Sequence, residues 1–101
     1  MNRKQIYDLV VETLESIQEL SGQKKVDVNE DTVPIGQLPG FDSMNGVEFS
    51  MMISKHIPME KIVSLCVSDD GKKALSVHQI VEWLEKLWDV TRGGKKDAKG
   101  Q

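Results

Sequence analysis

Gly40-Phe41-Asp42-Ser43-Met44 is the stretch of this chain whose residue types and order suit chemistry. Gly40 admits a turn that a residue with a Cβ resists. Asp42 is placed to cap the free N–H groups of a following helix. Ser43 then carries its hydroxyl at a helix N-terminus, where open N–H groups and the positive end of the dipole favour an anion. A phosphate ester on Ser43 is the chemistry these residues fit. Other reactive residue types are scattered. Cys66 reads as a small core residue, and Asp69-Asp70 ahead of two lysines reads as a solvated turn rather than a cation site. His56 and His78 read as boundary residues at helix ends. Neither is spaced to activate Ser43 as a hydrolase nucleophile, and no oxyanion-site pattern is visible. One cysteine excludes an intrachain disulfide, and no cysteine–histidine cluster suggests zinc.

The elements that position this stretch belong to one small domain. A chain of 101 residues, 39% apolar and 29% charged, has the composition of a soluble globular protein with an ordinary core. Only 5% is aromatic, so that core is expected to be aliphatic with methionine. No apolar run has membrane-spanning length, and no signal-peptide pattern opens the chain. We therefore expect a cytoplasmic monomer with no membrane insertion. The formal charge of −3 divides into −6 for residues 1–90 and +3 for residues 91–101. An acidic body argues against nucleic acid as a partner. Residues 1–90 form the expected domain, and 91–101 a basic tail expected to be disordered.

Apolar periodicity predicts a first helix over 3–20, carried by Ile6, Leu9, Val10, Leu14, Ile17 and Leu20. Asn2 with Gln5 supplies its start and Gly22 its stop. Residues 23–41 are punctuated by Pro34, Gly36, Pro39 and Gly40 and read as a long loop. Ile35, Leu38 and Phe41 are expected to pin it to the core. A second helix is predicted over 43–56. Its apolar residues form two stripes: Met44, Val47 and Met51 on one side, Phe49, Met52 and Ile53 on the other. The bulkier Phe49 and Ile53 are assigned to the core. The methionine stripe is left beside Ser43 as a surface for partners, in preference to burial with the other stripe or closure of a dimer. Pro58 suits the start of a short third helix to about Val67, burying Ile62, Leu65 and Cys66. Ser76 with Gln79 opens the last helix, whose apolar face is Val77, Ile80, Val81, Leu84, Leu87 and Trp88. The fold class is all-α: a four-helix bundle with a long loop between helices 1 and 2 and a short third helix.

Taken together, residues 3–90 resemble the acyl carrier protein family. Gly40-Phe41-Asp42-Ser43-Met44 matches that family's G-x-D-S-L/M attachment motif, and Ile57-Pro58 its I-P before the short helix. Val47, Phe49, Met51 and Ile53 fit the apolar spacing of its recognition helix, and Val77 to Leu87 its last helix. The resemblance implies that Ser43 is the attachment point of 4'-phosphopantetheine, a covalent cofactor taken from coenzyme A. Asp42 then takes the place of the preceding acid, and Met44, Val47, Glu48 and Met51 are partner-binding. It further implies as partners a phosphopantetheinyl transferase and acyl-loading and acyl-processing enzymes, in fatty acid, specialised lipid or polyketide-type biosynthesis. Such a carrier catalyses nothing itself. Glu48 is the clear acid on the recognition helix, while Asn45, Ser54 and Lys55 stand where the family often has acids. Electrostatic steering should therefore be weak, and the chain reads as a specialised carrier. The alternative is an unmodified helical interaction module that binds a protein through Met44, Val47 and Met51.

Overall fold

The computed structural model describes residues 1–24, 26–59, 63–68 and 70–89. Among the described residues four helices follow one another as α1 (Arg3–Leu20), α2 (Pro34–Gln37), α3 (Ser43–Ile53) and α4 (Val77–Trp88). No strand occurs among the described residues; Val67 and Ala74 form an isolated bridge. The chain is an all-helical small bundle, as its periodicity predicts. No described helix is long and apolar enough to cross a membrane.

α1 is the shared wall of the core, packing against both α3 and α4. It begins in a reciprocal cap, with Gln5 N–H donating to Asn2 Oδ1 and Asn2 N–H to Gln5 Oε1, each at 2.8 Å. Gly22 ends it at φ 73°, and Gln23 N–H reaches back to Gln18 O at 2.9 Å. That bond requires the left-handed residue that glycine supplies without strain. Ile6, Val10, Leu14 and Ile17 are fully buried against Phe49 and Ile53 of α3 and Val77, Ile80 and Leu84 of α4. Leu20, expected on the same stripe, is exposed, because α1 ends at that residue and the chain turns away.

The long loop is tied down by hydrogen bonds as well as by apolar anchors. Its carbonyls at Thr32 and Glu30 accept the Val77 and His78 N–H groups at 2.8 and 2.9 Å. Those bonds and the Ser76–Gln79 capping box satisfy all four of the donors that open α4. Within the loop, α2 is one turn closed by Gln37 N–H to Val33 O and Leu38 N–H to Pro34 O, both 3.1 Å. Its interior is not helical: Gly36 adopts φ 107°, which a β-carbon would resist. Pro39 then holds Leu38 extended and stops the turn. Leu38 and Phe41 are buried as expected, and Ile35 is half-buried against the core.

Two expected boundaries change. α3 stops at Ile53 with Ser54 as its cap, so residues 54–56 are turn rather than helix. The expected short third helix is absent among the described residues of 58–67; the short helix lies earlier, at α2. Backbone groups there have other partners. Leu65 N–H donates to Ser50 Oγ at 2.7 Å, and Cys66 O accepts from Leu75 N–H at 2.8 Å. The return is made through a tight turn at Gly71, φ 72°, where the Ser68 hydroxyl and then the Lys72 N–H lower the Asp70 carboxyl pKa. Leu65 and Cys66 are buried as expected; Ile62, Asp69 and the basic tail at 91–101 lie outside the described residues.

Candidate functional site

The site is built at the junction of the long loop and α3. Gly40 has φ 68°, and a Cβ there would lie 2.5 Å from Gln23 Nε2. Glycine is favoured by its backbone conformation, and the space is the lesser constraint because the nearest atom is the end of a flexible glutamine side chain. The buried Gln18 of α1 donates from Nε2 to Pro39 O at 2.9 Å, which ties the path into the motif to that helix. Phe41 then inserts into the core, which turns the neighbouring Asp42 and Ser43 outward.

Asp42 is the N-cap of α3. Its Oδ1 accepts the Met44 and Asn45 N–H groups at 3.0 and 3.1 Å, and its own N–H donates to Asn45 Oδ1 at 3.1 Å. Three of the four N–H groups that open α3 are thereby taken, leaving that of Ser43. The helix end is therefore a poorer anion cradle than the sequence implies, because the Asp42 carboxylate already occupies it. Ser43 itself is exposed, and its hydroxyl holds no hydrogen bond among the described residues. The arrangement presents an oxygen to solvent; it does not grip a free anion. Asp42→Ala is expected to cost about 1 kcal/mol, read as a lower urea midpoint at unchanged slope. Asp42→Asn, which keeps the acceptor, should recover most of it.

The two-faced reading of α3 holds. Phe49 and Ile53 are fully buried, while Met44, Val47 and Met51 are 79, 42 and 55% exposed. Ser43, Val47 and Met51 follow at four-residue steps, and Met44 with Glu48 makes the adjoining row. Glu48 is exposed on that row. Met52 is half-buried against the core. His56 lies beyond the C-terminal end of a helix about 16 Å long at about 1.5 Å per residue, with Ser43 at the other end. The His78 ring meets Arg3 Nη2 at 3.2 Å and Glu82 Oε1 at 3.5 Å. No cluster of three or more histidine, cysteine or acidic side chains able to hold a metal occurs among the described residues.

Sequence reasoning missed the inner flank of α3. Gly46 and Ser50, four residues apart and both buried, let residues 64–66 lie directly against the helix backbone. A Cβ on Gly46 would stand 2.7 Å from Ser64 Oγ and 3.4 Å from Cys66 Cβ. The signal available was small residues at helical spacing on a side that neither apolar stripe occupies. Comparison with protein-family models, curated proteins and solved structures finds no match to this chain.

Proposed function

We propose that this chain is an acyl carrier whose Ser43 receives 4'-phosphopantetheine from coenzyme A. The observation that carries the reading is an exposed, unengaged serine directly after a capping aspartate, at the head of an exposed apolar row. The motif and chain-wide pattern resemble the acyl carrier family, and the exposed Ser43 beside the exposed methionine row supports the reading. Ser43 Oγ forms the new bond to phosphorus, its proton passes to the transferase, and the adenosine bisphosphate half of coenzyme A leaves. The thiol of the bound arm supplies a thioester link to an acyl group. Asp42 and Asn45 close the helix end, so this chain offers little to clamp a phosphodiester there, and the tether can swing between enzymes. Met44, Val47 and Met51 offer those enzymes an adaptable apolar surface, with Glu48 beside it.

Incubation with coenzyme A and a broad-specificity phosphopantetheinyl transferase tests the reading: the chain should gain the mass of one phosphopantetheine. The weak-steering expectation has its own check. Raising salt from roughly 50 to 500 mM should change transferase affinity by less than about threefold, since a mainly apolar contact is little screened. A collapse in affinity over that range contradicts it. The second reading, an unmodified interaction module, rests on the same exposed Met44, Val47 and Met51 and predicts no mass gain.

A further inference from the structure

We propose that residues 63–67 form a strap over the inner flank of α3 that opens separately from the helices, with two serine hydroxyls acting in opposite directions in the seam. This inference does not rest on the carrier reading. Ser50 is fully buried, and its hydroxyl donates to Gly46 O at 3.0 Å while accepting the Leu65 N–H at 2.7 Å. Among the described residues this is the one hydrogen bond from the strap to α3. Ser64 Oγ lies on the other side of the seam, buried against Gly46 and without a hydrogen-bond partner. A buried hydroxyl without a partner has given up water for nothing, and it regains water when the seam parts.

Ser50 therefore holds the strap down and Ser64 lifts it. The strap belongs to no helix. Its chain returns through the Cys66–Leu75 hydrogen bond and the Val67–Ala74 bridge, so 63–67 and 74–75 are tied to each other as well as to the bundle. Small cooperative units of this kind open below the global unfolding free energy.

The single cysteine of the chain reports on the seam, because Cys66 lies in the strap and is fully buried. Burial pushes its thiol up to about 12, so a thiol reagent reacts only when the strap is off. The test is the labelling rate of Cys66 by a small neutral aromatic disulfide on the full-length chain, followed by absorbance of the released thione against urea. In dilute urea the wild-type rate should vary far less with urea than global unfolding does. Ser50→Ala should label about tenfold faster and Ser64→Ala about threefold slower. Asn2→Ala, which removes the α1 cap and lowers global stability, should leave the dilute-urea rate unchanged. A wild-type rate that follows the global unfolding slope, or an Asn2→Ala rate raised as much as that of Ser50→Ala, overturns the proposal. Should Ser50→Ala not fold, the urea slope and Ser64→Ala decide it: labelling of Ser64→Ala at or above the wild-type rate overturns it.

Discussion

Phe49→Ala is expected to lower the unfolding free energy by about 3–5 kcal/mol. The whole fold of a small domain is worth only about 5–15 kcal/mol, so this one change should remove a large share of it. The physical cause is a fully buried ring where α3 meets the wall made by α1. Removing it takes away apolar burial and leaves a cavity that fixed helices cannot close. Met51, two residues further along, gives the contrast. It is 55% exposed, and Met51→Ala should change stability by no more than about 0.5 kcal/mol. Urea unfolding of the two variants measures both. Equal losses would mean that the outer row is core, and the surface assigned to partners would not exist.

The helix starts and the division of α3 were legible because their causes are local. A capping box is read from two residues three apart, and Asn2–Gln5 and Ser76–Gln79 form as their spacing implies. Asp42 caps α3 with Asn45 in place of a glutamate or glutamine as the reciprocal partner. The two faces of α3 follow from helical geometry once Phe49 and Ile53 are taken as the stiffer pair. Residues 63–67 were illegible because their conformation is set from outside. Leu65 gives its N–H to Ser50, fifteen positions earlier, and Cys66 gives its carbonyl to Leu75, so helical bonds have no claim on either group. α2 was missed for the opposite reason: its Pro and Gly are loop signals, and the turn they make is barely helical. At the site, the place of Ser43 at the head of α3 was legible from its neighbours, while the occupancy of the helix end by Asp42 required coordinates. Gln18, which holds the approach to Gly40 through the Pro39 carbonyl, carries no local signal at all.

Ser43→Ala is the other large expected effect, and it is all-or-none. The Ser43 hydroxyl is exposed and makes no hydrogen bond among the described residues, so its loss should leave the unfolding free energy from urea titration within about 0.5 kcal/mol of wild type. The same loss removes the oxygen that would receive the arm, and no neighbouring residue replaces it: Asp42 is a carboxylate committed to the cap, and Met44 has no nucleophilic oxygen. Stability and modification should therefore separate cleanly in this variant, unlike Phe49→Ala, where both fall together. The deciding measurement is the intact mass of wild type and Ser43→Ala after incubation with coenzyme A and transferase. A gain of one phosphopantetheine on wild type and none on the folded variant is the predicted result; an unmodified wild type, or an equal gain on both, contradicts the carrier reading.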